Sequence, residues 1–201
     1  MSPDQRILAL GDSYTIGEGV AEAERWPNQL AARLNLPAPE IVARTGWTTD
    51  ELATAIDVHA LHPPYTLVTL LIGVNNQYRG RDLANYRVEF TQLLRSAISL
   101  AGDKAQHVLV VSIPDWSVTP FARASGRDLA QTAREIDAFN AVNEQIAGEL
   151  HAGHVDVTAM SRDRGGAADM LVDDGLHPSA AMYTRWLTAI EPAARAALSP
   201  R

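Results

Sequence analysis

The chain has 201 residues, 46% of them hydrophobic, and a formal net charge of -7 at pH 7. This length and apolar content predict a single domain, residues 1–201, with one substantial core. The scattered basic residues argue against nucleic acid or an anionic membrane surface as the main partner. The absence of cysteine excludes disulfides, thiolate metal sites and a cysteine nucleophile.

The first residues, MSPDQR, lack the basic flank and long apolar stretch of a secretory signal. The uninterrupted apolar runs of the chain are much shorter than a membrane span. We therefore expect a cytoplasmic protein without stable membrane insertion, whose partner is a small molecule. The sequence leaves the oligomeric state open.

Short apolar runs rich in Val, Ile and Leu recur along the chain, as expected for strands that are covered on both faces. Segments with helical spacing of apolar residues lie between them, and Thr48 with Glu51 has the spacing of a capping box at a helix start. The predicted strands are 6–10, 40–43, 66–72, 108–113 and 155–157, and the clearest predicted helices fall within 83–101, 129–150 and 186–197.

This alternation predicts an α/β fold with a mostly parallel five-stranded sheet, right-handed crossovers and helices on both faces. Sheets of this kind bind ligands beyond the carboxyl ends of their strands. The candidate binding loops are therefore 11–19, 45–48, 73–80 and 114–126.

Ser13 stands at the end of the first predicted strand, in the segment GDSYTIGEG. Such a serine is a nucleophile, a phosphate-loop hydroxyl or a helix cap. The glycine patterns of nucleotide-binding loops are missing, and so is the G-x-S-x-G elbow. A nucleophilic serine needs a base that removes its proton and a third group that orients the base.

The segment LVDDGLHPSAAM supplies a base and an orienting carboxylate close together. Asp174 precedes His177 by three residues, and a tight turn at the intervening Gly175 brings the carboxylate against one imidazole nitrogen. Pro178 keeps His177 out of a helix, and Ser179 is suited to cap the next helix. Asp173 competes with Asp174 for the orienting role, and the spacing favours Asp174.

Acyl transfer also needs hydrogen-bond donors for the oxygen that becomes negative. Gly46 after the second strand, Asn75 after the third and the amide of Ser13 could converge there. Considered one at a time, Gly46 is equally typical of a simple turn and Asn75 of an Asx-turn.

Two pairs of histidines, His59 with His62 and His151 with His154, have spacings that could suit a metal ion. Neither pair has an evident third ligand nearby, so no metal site is predicted.

Together these motifs resemble the SGNH or GDSL hydrolases: GDSYTIGEG the first motif, Gly46 the second, GVNN the third and DGLHP the last. The resemblance implies a three-layer α/β/α sandwich of flavodoxin-like type, and no metal or organic cofactor. It also implies Ser13 as nucleophile, His177 as base, Asp174 as its orienter, and Ser13, Gly46 and Asn75 as the oxyanion hole. The sequence departs from the family pattern at Tyr14, where leucine is usual, and at Asn76, where aspartate is usual.

The expected activity is hydrolysis of carboxylic esters of short to medium acyl chain, lysophospholipase-like or acetylesterase-like, through an acyl-serine. Four loop residues are expected to contact substrate: Trp47, Asn76, Tyr78 and Trp116. Acyl transfer to an alcohol and thioester hydrolysis use the same intermediate and stay open. A non-catalytic flavodoxin-like module that binds phosphate or flavin is the remaining alternative.

Overall fold

The computed structural model describes residues 5–199, so the two ends of the predicted domain, 1–4 and 200–201, lie outside the described residues. Its sheet has five strands, all paired in parallel, in the order β2-β1-β3-β4-β5. This is the flavodoxin-like order, and it confirms the predicted α/β class. The strands are β1 (Ile7–Gly11), β2 (Glu40–Ala43), β3 (Leu67–Leu71), β4 (Val108–Val111) and β5 (Gly153–Val155).

Helices cover both faces of the sheet, which gives the three layers. On one face α3, α5 and α7 contact one another in sequence, and on the other α9 contacts α2 and α8. The α-helices are α1 (Ser13–Ile16), α2 (Trp26–Leu34), α3 (Thr49–Val58), α4 (Val74–Tyr78), α5 (Leu83–Leu100), α6 (Pro120–Ala124), α7 (Leu129–Glu149), α8 (Thr158–Arg164) and α9 (Ala180–Leu198).

The fifth strand lies two residues earlier than predicted, at Gly153–Val155 instead of 155–157. Beyond Val155 the backbone turns into α8, because the Asp156 carboxylate accepts the amide hydrogen of Thr158 at 2.7 Å. The neighbouring Ser112 hydroxyl accepts the amide hydrogen of Val157 at 2.8 Å. These side-chain bonds replace the ladder that a longer strand would have formed.

Three of the predicted loops contain short helices, α1, α4 and α6. Two of them, α1 and α4, begin within three residues of the end of a strand, and α1 and α6 have side-chain caps. Asp12 accepts the amide hydrogen of Tyr14 at the start of α1, and Thr119 accepts that of Ala122 at the start of α6. The predicted cap of α9 is also present, with Ser179 accepting from the amide of Met182.

The sheet is the centre of the hydrophobic core. Every residue of β1, β3 and β4 is buried, as expected for strands covered on both faces. No helix between residues 5 and 199 is both long enough and apolar enough to cross a bilayer.

Candidate active site

A cleft of about 220 Å³ opens at the carboxyl edge of the sheet, beyond the ends of β1, β2 and β3. It brings together residues from five separate segments of the chain. Of the predicted site residues, Ser13, Gly46, Asn75, Tyr78, Trp116 and His177 line it. A larger cavity of about 540 Å³ lies at the opposite edge, beside the starts of β4 and β5, and none of the predicted site residues lines it.

Ser13 is the first residue of α1 and is nearly buried, with 5% of its surface exposed. The short helix packs closely on the sheet because Gly11 has no side chain. A Cβ there would come within 2.4 Å of the Leu71 carbonyl oxygen and 2.2 Å of the Thr15 hydroxyl. Gly11 thus lets the chain turn sharply at the end of β1 and presents Ser13 at the cleft.

Asp12, directly before Ser13, is completely buried. Its Oδ1 accepts the amide hydrogen of Tyr14 at 3.0 Å, while its Oδ2 has no hydrogen-bond partner among residues 5–199. Burial raises the pKa of the Asp12 carboxyl from 3.8 to about 7, although the backbone bonds favour the charged form. A substantial share of this carboxyl is therefore protonated at neutral pH.

His177 and Asp174 form a hydrogen-bonded pair, with 2.6 Å between Nδ1 and Oδ2. The other carboxylate oxygen of Asp174 accepts the amide hydrogens of Leu176 and His177, which fixes the turn between them. Partial burial acts to raise the pKa of Asp174, but these hydrogen bonds outweigh it and the net pKa is lowered. Asp174, and not Asp173, is thus the carboxylate that reaches the ring.

This pairing favours one tautomer of a neutral imidazole. A neutral His177 that donates from Nδ1 to Asp174 leaves the lone pair of Nε2 available to accept a proton. The ring packs against Tyr14, with 5.7 Å between centroids, and so lies next to the residue that follows Ser13. Within the described chain the Ser13 hydroxyl has no partner within 3.5 Å, and catalytic hydrogen bonds are commonly long in ligand-free enzymes.

The expected donors for an oxyanion, Gly46 and Asn75, line the same cleft as Ser13. Gly46 has a φ of 87°, a left-handed conformation that favours glycine. The amide N–H groups of Ser13 and Gly46 have no hydrogen-bond partner among the described residues. The Asn75 side chain donates one hydrogen to the Trp47 carbonyl at 2.9 Å, which leaves its second hydrogen for a ligand in the cleft.

Cross-links between α4 and the segment after β2 hold these donors in place. The Arg79 guanidinium donates to the Gly46 carbonyl at 2.6 Å and lies 3.4 Å from Glu51. Glu51 in turn accepts the amide hydrogen of Thr48 at 2.9 Å, as its predicted capping role requires. The glycine donor and the asparagine donor therefore belong to one connected unit.

Asn76 does not line the cleft, contrary to its expected contact with substrate. It is completely buried, its Oδ1 accepts the amide hydrogen of Thr49 at 3.1 Å, and its Nδ2 donates to the Thr49 hydroxyl at 2.6 Å. The Thr49 hydroxyl donates onward to Glu89. An aspartate at position 76 would have no hydrogen to donate to the Thr49 hydroxyl. Asparagine can donate one, and so it completes the series of hydrogen bonds from residue 76 through Thr49 to Glu89.

Trp47 also lies outside the cleft lining, because its side chain packs on the hydrophobic core. Tyr78 and Trp116 do line the cleft, and their rings meet edge to face with 5.5 Å between centroids. Other lining residues were not singled out from the sequence: Tyr14, Thr45, Val74 and Phe121 fall within the candidate binding loops, and Leu176 lies outside them. Proximity in sequence to Ser13, Gly46, Asn75 and His177 was the signal that could have found them.

The arrangement offers a hydroxyl, a base with a carboxylate partner, and three donors around one cleft. It is suited to attack on a carbonyl group and to stabilisation of the oxyanion that forms. Within residues 5–199 no group of three histidine, aspartate or glutamate side chains is arranged to hold a metal ion.

The sequence model of the GDSL-like lipase/acylhydrolase family matches residues 9–185. Among solved structures, the fold is similar to that of TesA, with a TM-score of 0.75 and 22% identity over 96% of this chain and 100% of that one. The psychrotrophic esterase EstA from Pseudoalteromonas sp., inhibited by monoethylphosphonate, gives a TM-score of 0.72 and 18% identity over 96% and 97% of the two chains.

A lipase/acylhydrolase from Enterococcus faecalis gives a TM-score of 0.70 and 20% identity, over 98% of each chain. At these identities the similarity concerns the fold. The comparison with curated proteins gave no match.

Proposed function

The chain belongs to the GDSL-like lipase/acylhydrolase family, and from this premise we propose that it is a serine esterase that hydrolyses carboxylic esters of short to medium acyl chain. The observation that carries the proposal is the pair His177 and Asp174, joined at 2.6 Å, with His177 lining the same cleft as Ser13. A neutral His177 that donates from Nδ1 to Asp174 would have the tautomer that a serine nucleophile requires of its base.

In the first half of the reaction the Ser13 hydroxyl attacks the ester carbonyl carbon, and Nε2 of His177 accepts its proton. The carbonyl oxygen becomes negative and is bound by the Ser13 and Gly46 amides and by the Asn75 side chain. When the intermediate collapses, the ester C–O bond breaks and the alkoxide takes the proton from His177. The products of this half are the free alcohol and an acyl-Ser13.

In the second half water replaces the alcohol. His177 removes a proton from water, the hydroxide adds to the acyl carbon, and the same three donors hold the oxyanion. Collapse releases the carboxylic acid and returns the proton to Ser13.

Cleft size supports a short to medium acyl chain. Its volume of about 220 Å³ is below the range of roughly 300–1,000 Å³ that is usual for pockets holding drug-sized ligands. The lining of the cleft is largely apolar and includes Val74, Tyr78 and Leu176. A long acyl chain would have to extend over the rim into solvent.

The test compares p-nitrophenyl esters of acetate, butyrate, octanoate and palmitate, with the wild type beside Ser13→Ala. We expect turnover to be highest with one of the first three and to be lost in the variant, along with labelling by a fluorophosphonate. Ser96→Ala, which removes an exposed hydroxyl on α5, is the matched control and should retain full turnover. Undiminished turnover or labelling in Ser13→Ala would remove Ser13 from the reaction.

A further inference from the structure

Three aromatic rings form a continuous wall along one side of the cleft. Trp116 meets Tyr78 and Phe121 edge to face, with centroid distances of 5.5 and 6.1 Å. All three residues line the cleft that also contains Ser13. We define Tyr78, Trp116 and Phe121 as the aromatic wall.

Buried contacts hold Trp116 in this wall in a single orientation. Only 2% of its surface is exposed, and its indole Nε1 donates to Gln77 Oε1 at 3.0 Å. Gln77 is itself fixed, because its Nε2 donates to Glu135 on α7 at 2.7 Å. The turn that carries Trp116 is capped by the buried Asp115, which accepts the amide hydrogen of Ser117 at 2.9 Å.

Tyr78 is 40% exposed, yet Arg127 restrains it. The guanidinium carbon of Arg127 lies 4.2 Å from the Tyr78 ring centroid and 5.7 Å from that of Trp116. Arg127 also donates to the Tyr78 carbonyl at 2.9 Å, and within residues 5–199 it forms no ion pair with a carboxylate. Its interactions are thus directed to the rings, as in a cation–π contact.

The position of the wall relative to the reacting atoms indicates which part of an ester meets it. Tyr78 follows Asn75 by three residues on α4, so the two side chains lie on the same helix face. The ring is therefore next to the oxyanion donor. In the proposed reaction the leaving alcohol faces His177, which must protonate it, and the part of the cleft lined by Tyr78 and Trp116 is then available to the acyl group. Phe121 backs Trp116 and adjoins the His177 loop through its amide bond to the Gly175 carbonyl.

We propose that the preferred substrates are esters of aromatic acids, whose acyl ring packs against Tyr78 and Trp116; this inference rests on the proposed esterase function. A rigid ring edge or face favours an aromatic partner over a saturated one of equal size, because aromatic pairs gain from the opposite charges of ring face and ring edge. The wall thus distinguishes acyl groups by aromaticity as well as by length.

The test measures kcat/KM for methyl phenylacetate and methyl cyclohexylacetate by acid release. The two acyl groups have the same number of carbon atoms and the same alcohol, and because the phenyl group also makes the carbonyl more reactive than the cyclohexyl group does, each kcat/KM is divided by the rate constant for hydrolysis of that ester by hydroxide. We expect the wild type to prefer the phenylacetate about 2- to 10-fold. The ratio is measured on one preparation, so the fraction of active enzyme cancels.

Tyr78→Leu and Arg127→Met should bring the ratio close to 1, and Tyr78→Phe should preserve it because the ring remains. Arg134→Met, at an exposed arginine of α7, is the control for loss of charge and should leave the ratio unchanged. A wild-type ratio near 1, or a ratio that survives Tyr78→Leu, would overturn the proposal.

A second pair, benzyl acetate and cyclohexylmethyl acetate, places the ring on the alcohol. A preference in this pair alone would assign the wall to the leaving group and contradict the acyl assignment. Hydrolysis of neither pair, without fluorophosphonate labelling of Ser13, would refute the esterase function itself. Labelling and turnover with no aromatic preference would refute the substrate inference alone.

Discussion

At the scale of single residues, the site depends on two carboxyl groups with opposite protonation behaviour. Asp174 is partly exposed, hydrogen bonded to His177 and has a lowered pKa, so it is ionised at neutral pH. Asp12 has a pKa raised to about 7 because burial disfavours its charged form, and one of its oxygens has no hydrogen-bond partner in the described chain. Identical side chains at the same edge of the sheet thus act differently.

Asp174→Asn should reduce kcat by roughly 10²- to 10⁴-fold. An amide can replace the Oδ1 contacts with the backbone, but its NH₂ group toward Nδ1 favours the tautomer that leaves Nε2 protonated and unable to act as a base. The measurement is steady-state hydrolysis of p-nitrophenyl acetate. Asp173→Asn is the matched control, and a comparable loss in that variant would contradict the assignment.

Asp12→Asn should change how stability depends on pH. The folded-state pKa of Asp12 is raised, so the folded protein holds this proton more tightly than the unfolded chain, and the wild type loses stability as the pH rises from about 4 to about 7. Asparagine keeps the bond to Tyr14 without this ionisation. The variant should therefore gain stability relative to the wild type over that range.

Urea denaturation at about pH 4.5 and pH 8 measures the difference in the free energy of unfolding between wild type and Asp12→Asn. Asp57→Asn, at an exposed position on α3, serves as the control. A difference between wild type and Asp12→Asn that is the same at both pH values would show that Asp12 does not titrate in this window.

At the scale of elements, α4 and the start of α3 act together. Asn75 and Asn76 of α4, and Arg79 directly after it, all extend to residues 46–49, so one short helix and its C-terminal residue position both the glycine and the asparagine. This explains which sequence predictions reached the site. Residues 75 and 78 share a helix face, while residue 76 points elsewhere, and this distinction is invisible when 73–80 is treated as a loop.

Arg79→Met should lower kcat several-fold, roughly 3- to 30-fold, while KM changes little, because the bond to the Gly46 carbonyl positions an oxyanion donor that acts in the transition state. Arg81→Met is the matched control: Arg81 pairs with Asp50 and lies near Glu89 but does not touch Gly46. Equal losses of kcat in the two variants would show that Arg79 contributes only as a member of a surface ion pair and does not position Gly46.

At the scale of the whole molecule, a mostly parallel sheet between helices could be anticipated because buried parallel strands have continuous apolar runs and known crossover rules, whereas the flavodoxin-like type was implied by the family resemblance. The candidate site residues could be placed near one another, since the carboxyl ends of such strands meet at one edge. The packing of Trp47 could not be anticipated, because an aromatic residue after a strand serves equally well in a core or a cleft. The last residue of β5 is determined by hydrogen bonds from the side chains of Ser112 and Asp156, which the pattern of apolar residues in the sequence does not indicate.

Leu70→Ala should lower the free energy of unfolding by about 2–5 kcal/mol, because Leu70 is fully buried in the central strand β3 and its truncation leaves a cavity. Urea denaturation followed by circular dichroism gives the value. Val58→Ala, at a side chain that is 80% exposed on α3, should stay within about 0.5 kcal/mol of the wild type. A loss below about 1 kcal/mol for Leu70→Ala would place β3 outside the stabilising core.

The order of the candidate site residues along the chain also has a consequence for biosynthesis. Ser13 follows the first strand, whereas Asp174 and His177 come just before α9, which packs against α2. During translation the proposed nucleophile is therefore made long before its proposed base, and a ribosome-bound chain that ends before residue 174 lacks both Asp174 and His177. The proposed hydrolytic chemistry would be acquired only late in synthesis, when the segment that carries these two residues reaches the edge of the sheet.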